Sequence, residues 1–159
     1  MSNKQAWVDE SKHYTMRFRC ATQDLSSVKF YTTKNSIEIE QQISFDREYE
    51  PISAIEYFAG SALSSILLTL LEYSRKQGSI IEEIEGVLDV LLENPLTMIG
   101  VKGYEEEPFI RKMTVTVFLY ANLEDDALNE FCAKALQFSP VYNTLKKAVE
   151  FEVIFKNSV

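Results

Sequence analysis

The chain has 159 residues, of which 46% are hydrophobic and 25% are charged, values that fit one soluble globular domain and exclude an intrinsically disordered or collagen-like chain. Its 16 basic and 24 acidic residues give a net charge of −8, and since an acidic surface repels phosphate, we expect no nucleic-acid partner. The sequence has two widely separated cysteines, Cys20 and Cys132, and one histidine, His13. We therefore expect no disulfide scaffold, no Cys-based zinc site and no Ser-His-Asp or Cys-His catalysis.

Neither a secretory signal nor a membrane span is expected. The first residues lack the apolar core of a signal peptide, and we expect a cytoplasmic protein. The most apolar stretch, residues 55–71, contains Glu56 and is followed at once by charged residues. A membrane span needs about 20 mostly apolar residues. We therefore interpret this stretch as a core helix of a single domain over residues 1–159, with a loosely ordered N-terminus over residues 1–13.

Before this helix, alternating apolar and polar residues predict three strands. Residues 14–20 alternate with a period of two, and residues 28–32 and 37–45 are two further candidates. A tight turn at Thr33-Lys34-Asn35-Ser36 joins the last two, because Asn suits turn conformations.

The clearest helix start is Ser53-Ala54-Ile55-Glu56, which has the pattern of a capping box. The helix can run to Gln77, where Gly78 supplies a left-handed stop. Its middle is apolar on nearly all sides and must be covered on several of them. A homodimer core is the simple solution.

Five further elements are predicted in the order strand, strand, helix, helix, strand: residues 83–93, 113–120, 124–138, a short helix from Ser139-Pro140, and residues 149–156. Asn94-Pro95 breaks the first of these strands, and residues 100–108 form an exposed loop with Glu105-Glu106-Glu107 at a solvated tip. Asn122 is the candidate cap of the longer helix.

This order of elements resembles the OsmC-like family, which includes osmotically inducible protein C and the organic hydroperoxide reductases. Three motifs carry the resemblance: the acidic, Ala-rich helix start at residues 53–65, the helix end at residues 73–78, and residues 139–145, which are similar to the family's Cys-Pro-hydrophobic-x-x-x-Leu motif. The resemblance begins near residue 14. It implies an α+β fold with antiparallel sheets wrapped around long central helices in an intertwined homodimer.

In this family one cysteine attacks the peroxide and a second resolves it as a disulfide. Counting back from Gly78 places the first at Ser65, or at Ser64 if the register shifts, and the second at Ser139. A serine hydroxyl stays protonated near neutral pH and does not cycle through a sulfenic acid and a disulfide. The resemblance therefore implies an OsmC-like protein without thiol peroxidase activity, and we favour a protein that is not an enzyme.

The resemblance also implies an acid and an arginine. Glu56 lies nine residues before Ser65, the acid's offset in some branches of the family, whereas the hydroperoxide reductases use the position that Ile55 occupies. A capping role is the alternative for Glu56. Arg17 and Arg19 are the candidate arginines, and a solvated strand face is their structural alternative.

The remaining candidate residues also have structural interpretations. Ser139 is a good helix N-cap, and Ser65 is a small residue on a crowded helix. Cys132 falls on the apolar stripe of its helix and Cys20 on an apolar strand face, so we expect both in the core.

Three functions stay open. The first is a non-enzymatic OsmC-like protein that binds a small, partly apolar molecule at a dimer interface. The second is a thiol-dependent organic hydroperoxide reductase that uses Cys20 or Cys132. The third is a structural or regulatory dimer that binds a protein partner. In each case we expect no metal, no other cofactor and no membrane partner.

Overall fold

The computed structural model describes residues 12–158, so most of the predicted loosely ordered N-terminus lies outside the described residues. The chain divides into two compact units, an N-terminal unit up to Ile55 and a second unit from Glu56 onward. In chain order the elements are β1 (Arg19–Ala21), β2 (Val28–Tyr31), β3 (Ser36–Ile39), α1 (Ala54–Lys76), β4 (Ile81–Glu93), α2 (Pro95–Met98), β5 (Phe109–Ala121), α3 (Asp125–Leu136), α4 (Pro140–Ala148) and β6 (Glu150–Asn157). The fold is mixed α+β, as the sequence predicts.

The N-terminal unit contains an antiparallel sheet in the order β1-β2-β3. The predicted turn is present, and the Thr32 N–H donates to the Asn35 carbonyl oxygen at 2.8 Å. Two predicted strands were too long, since residues 14–18 are irregular and β3 ends at Ile39. The reason is pairing: β2 has four residues, and a strand persists only where a neighbour accepts its backbone hydrogen bonds.

Helix α1 has 23 residues and is about 34 Å long at ~1.5 Å per residue. At its start the N–H groups of Ala54 and Ile55 donate to the carbonyl oxygens of Gln41 and Gln42, at 2.9 and 3.0 Å. Helix N-termini leave such donors without intrahelical partners, and the preceding segment satisfies two of them here. By length and composition alone α1 could span a membrane, a property that core helices of soluble proteins share.

The end of α1 is tied to the strand that follows. Gly78 has the left-handed φ of +95° that the sequence predicts. The Ser79 N–H donates to the Ser74 carbonyl oxygen at 2.8 Å, and the buried Ser74 hydroxyl accepts a hydrogen bond from the Ile81 N–H at 2.8 Å. These bonds fix the direction in which β4 leaves the helix.

The second unit contains a sheet in the order β4-β5-β6, in which β4 is antiparallel and β6 is parallel to β5. The expectation of antiparallel sheets therefore fails for β6. Parallel neighbours need a long crossover, and α3 and α4 supply it. One face of this sheet packs against α1 and α3 through fully buried side chains, among them Ile66, Leu70, Val115, Val117, Leu119, Leu128 and Cys132.

Gly86 allows α1 to lie close to this sheet. A Cβ atom added to Gly86 would lie 2.8 Å from Leu63 Cδ1 and 3.1 Å from Leu67 Cδ2. Carbon atoms in contact prefer about 3.5–4.0 Å, so the glycine makes room for two leucines of the helix.

Helix α3 does not begin as predicted. Its N-cap is Glu124 rather than Asn122, and the Glu124 side chain makes no capping hydrogen bond. The Leu123 N–H donates to the Ala121 carbonyl oxygen at 2.8 Å, so a tight turn occupies the place of the predicted cap. Asp125 and Asp126 lie in the first turn, where negative charge is favourable.

Candidate functional site

Ser139 caps helix α4. Its backbone is extended (φ −87°, ψ 111°), and its Oγ accepts a hydrogen bond from the Tyr142 N–H at 3.1 Å. Pro140 follows at the first helical position, and Ser139 is fully buried. The capping prediction is confirmed, and the hydroxyl at this position has a structural task.

Ser65 lies on α1 beside the buried stripe of that helix and is half-buried, whereas Ser64 is exposed. The Thr69 hydroxyl, one turn later, donates a hydrogen bond to the Ser65 carbonyl oxygen at 2.8 Å. Residues four apart share a helix face, so Ser65 and Thr69 point to the same side of α1.

An open cavity of about 280 Å³ adjoins that side of the helix. Its lining residues are Thr69, Glu72, Tyr73, Lys76, Gln77 and Phe138. Thr69 lies one turn after Ser65, and Phe138 immediately precedes Ser139. Ser65 and Ser139 therefore neighbour this cavity along the chain, although neither serine belongs to its lining.

Tyr73 is the centre of an aromatic group on the wall of the cavity. Its ring stacks on Phe138 with centroids 5.8 Å apart and contacts Phe131 at 5.0 Å. Phe138 is nevertheless 69% exposed, so it presents a flat apolar surface to solvent. On its other side Tyr73 lines a second open cavity of about 290 Å³ with residues of α3.

These lining residues were not identified from the sequence. The only available signal is their spacing, because Ser65, Thr69, Glu72 and Lys76 recur every three or four residues along one helix face. The contribution of Phe138 depends on the packing of α3 against α1, which local patterns do not report.

The two cysteines have different environments. Cys132 is fully buried in the core, as predicted, and this burial raises the pKa of its thiol to about 12. Cys20 is exposed, so its predicted place in the core is wrong. The alternation correctly placed Cys20 on the apolar face of β1, in register with Phe30, but that face is incompletely covered, as the 55% exposure of neighbouring Phe18 indicates.

The candidate arginines belong to the N-terminal unit. Arg19 lies on β1 opposite Tyr31, with its guanidinium carbon 4.3 Å from the centroid of the Tyr31 ring. Both side chains line an open cavity of about 310 Å³ together with Lys29 and Glu38. Arg17 is exposed in the irregular segment before β1.

Glu56 belongs to the second unit and is exposed in the first turn of α1. Its two assignments, as a cap and as the acid of a site, both stay predictions. Across residues 12–158 no three His, Cys, Asp or Glu side chains are grouped as metal ligands would be.

Comparisons with known proteins identify the fold. No family model matches the sequence, and no curated protein matches it significantly. The structure is similar to that of an OsmC-like protein from Mycoplasma pneumoniae, with a TM-score of 0.70 and 12% identity over 91% of this chain and 97% of that one. It is also similar to an organic hydroperoxide resistance protein from Elizabethkingia anophelis, with a TM-score of 0.68 and 10% identity over 91% and 99% of the two chains. For the organic hydroperoxide resistance protein OhrB of Bacillus subtilis the TM-score is 0.60, at 14% identity over 90% and 98%. Such low identities indicate a common fold rather than a common activity. The chain therefore has the fold of the OsmC-like and organic hydroperoxide resistance proteins.

Proposed function

We propose that this protein is a cytoplasmic member of the OsmC-like family, related to its oxidative-stress proteins, that lacks thiol peroxidase activity. It instead binds a small, partly apolar molecule as a homodimer. The observation that carries the proposal is the position and ionisation of the thiols, because a peroxidase of this family needs an ionisable thiol in its site.

Neither cysteine of the sequence coincides with the inferred family positions. The resemblance assigns those positions to Ser65 and Ser139, and Cys132 is a core residue whose burial raises its pKa to about 12. A thiol attacks a peroxide as the thiolate, so a thiol that keeps its proton is inert. Ser139 is also engaged as a helix cap through its Oγ, which accepts the Tyr142 N–H.

The cavity beside Thr69 supports binding of a small, partly apolar molecule. Tyr73 and Phe138 supply an aromatic wall, while Glu72 and Lys76 supply polar groups at the same opening. Binding sites for small organic molecules combine apolar walls with a few polar groups that set orientation.

The exposed side of α1 supports the homodimer. Phe58 and Leu68 lie on this helix and expose 44% and 53% of their surface. Apolar side chains on a long helix are stabilised by a covering partner. A second copy of the chain would bury them. A light-scattering mass of one 18.3 kDa chain would contradict this part of the proposal.

A peroxide assay tests the loss of activity. Cumene hydroperoxide is incubated with the protein and a dithiol reductant, and we expect consumption at the rate of the reductant alone. Turnover above that rate would refute the proposal. Its abolition by Cys20→Ser would then assign the activity to the exposed cysteine, and abolition by Cys132→Ser would assign it to the buried one.

A cysteine graft tests the assignment of the family positions. In a Cys20→Ser background, Ser65→Cys with Ser139→Cys is expected to form a disulfide on treatment with one equivalent of hydroperoxide, detected by mass spectrometry. A disulfide needs Cα atoms within about 7 Å, so the bond forms only if the two positions meet. Ser64→Cys with Ser139→Cys is the matched control. A disulfide in the control alone would move the family position to Ser64, and no disulfide in either pair would contradict the assignment.

A binding experiment tests the ligand. The probe is 2-phenyl-2-propanol, the unreactive alcohol that corresponds to cumene hydroperoxide, and binding is followed by changes in NMR amide shifts. We expect the shifts to concentrate around the cavity and to be lost in Phe138→Ala. Phe109→Ala removes an exposed phenylalanine elsewhere in the same unit and should leave binding intact. Equal loss in both variants would argue against the cavity.

A further inference from the structure

The connection between β4 and β5 carries an exposed group of apolar side chains. This apolar tip consists of Leu96, Ile99, Val101, Tyr104 and Phe109, whose exposed fractions lie between 37% and 56%. Single exposed apolar side chains are ordinary, but five of them within one short stretch of chain indicate an interaction surface.

Hydrogen bonds within the connection brace the apolar tip. The Asn94 side-chain amide donates to the Glu107 carbonyl oxygen at 2.9 Å and so joins the two ends of the connection. The Val101 N–H donates to the Leu96 carbonyl oxygen at 3.2 Å. Gly100 has a φ of +69°, a conformation that glycine adopts without strain. A partner would therefore meet a preformed surface, which lowers the entropic cost of binding.

Three consecutive carboxylates lie beside this surface. Glu105, Glu106 and Glu107 are exposed, and within the described part of the chain none of them forms an ion pair. The nearby Arg111 is already paired with Glu93 at 2.6 Å. Lys102 is an exposed cation of the same connection, so the three glutamates leave the edge of the apolar tip with a net negative charge.

This combination selects among possible occupants. An anionic membrane surface would be repelled by the three glutamates. A second copy docked tip to tip would bring two sets of glutamates together, which is also unfavourable. A protein segment that carries lysine or arginine beside apolar side chains satisfies both parts of the surface.

We propose that the apolar tip, flanked by Glu105–Glu107, is a docking site for a basic, amphipathic segment of a partner protein. Five side chains form a smaller surface than a standard interface of about 800 Å² per partner, so the complex is weak and transient. Ile99 and Tyr104, its two most exposed side chains, are its anchors.

A designed peptide tests the proposal. The probe is a fluorescently labelled amphipathic helix of leucine and lysine, about 14 residues long or roughly four helical turns. Its binding to the full chain is measured by anisotropy at two salt concentrations. We expect Ile99→Ser with Tyr104→Ser to weaken binding by about tenfold or more. Val87→Ser, which alters an exposed apolar residue on the outer face of the same sheet, should leave binding unchanged.

The charge contribution is tested separately. Replacing Glu105, Glu106 and Glu107 by glutamine should weaken binding at low salt. It should also reduce the salt dependence of binding, because less electrostatic attraction to the peptide then remains for salt to screen. These substitutions lie on an exposed loop, so the variant keeps its fold, which circular dichroism checks. Peptide affinity that is unchanged by both sets of substitutions would overturn the proposal. Equal binding of a leucine-glutamate peptide, tip-dependent binding to anionic vesicles, or a tip-dependent change in oligomeric mass would also overturn it.

Discussion

Cys132 should be chemically inert for as long as the protein is folded. The test is alkylation by iodoacetamide near neutral pH, which consumes only the thiolate. Burial raises the pKa of Cys132 to about 12, since removal from water disfavours the charged form. At about pH 7 the ionised fraction is then roughly one in 10⁵, against about three in 100 for an ordinary thiol of pKa ~8.5. Ionisation alone therefore slows the reaction by about three thousandfold.

The chain supplies an internal reference for this experiment. Cys20 is exposed, so both thiols can be followed in one sample by mass spectrometry of digested protein. We expect Cys20 to be alkylated rapidly and Cys132 to react at the rate of global unfolding. In urea the two rates should become similar, because the core no longer shields the second thiol. In a Cys20→Ser variant, the folded protein should take up almost no label.

Equally rapid alkylation of both thiols in the folded protein would refute this reasoning. It would mean that the helix α3 opens readily and that Cys132 is available as a thiolate. The main support for a protein without peroxidase activity would then be lost.

The same buried thiol makes stability sensitive to alkaline pH. Burial raises the pKa of Cys132 to about 12 in the folded state, against ~8.5 in the unfolded chain. The stability that the protonated thiol contributes is therefore complete below about pH 8.5 and is lost as pH rises toward 12, by up to about 1.4 kcal/mol per pH unit relative to Cys132→Ala. The same dependence of the free energy of unfolding on pH in both proteins would contradict this. Gly86→Ala should lower the free energy of unfolding by about 1 kcal/mol, since its new Cβ displaces the ends of Leu63 and Leu67. Urea denaturation measures this change. An unchanged midpoint would show that Leu63 and Leu67 accommodate the added Cβ atom without cost. Ser139→Ala removes the hydroxyl that accepts the N–H at the start of α4 and should cost about 1 kcal/mol in the same assay; a neutral effect would mean that water replaces the cap.

Local signals explain what the sequence predicted well. Helix α1 was found because Ser53 to Glu56 and Gly78 mark its ends and an apolar stretch fills its middle. Ser139 was identified as a cap because serine favours the N-cap position and proline favours the first helical position that follows it. Each of these features depends on residues within a few positions of one another.

Features that depend on distant residues were not predictable in the same way. The length of β1 is set by the short strand β2, and the exposure of Cys20 by the covering of its sheet. The aromatic wall arises because Phe138, which follows α3, stacks on Tyr73 of α1. Alternation identifies an apolar face but does not say whether another element covers it.

The parallel pairing of β5 with β6 has a consequence for the order of folding. The ribosome makes β6 after every other described element, yet Phe151, Val153 and Phe155 pack against the core beside β5. A nascent chain that has emerged only as far as α4 has an unpaired β5 edge and an incomplete apolar layer. Contacts between distant segments form slowly because a long loop must close first. The second unit should therefore reach its native state only after β6 has left the exit tunnel, and until then its open strand edge is the part that needs a chaperone.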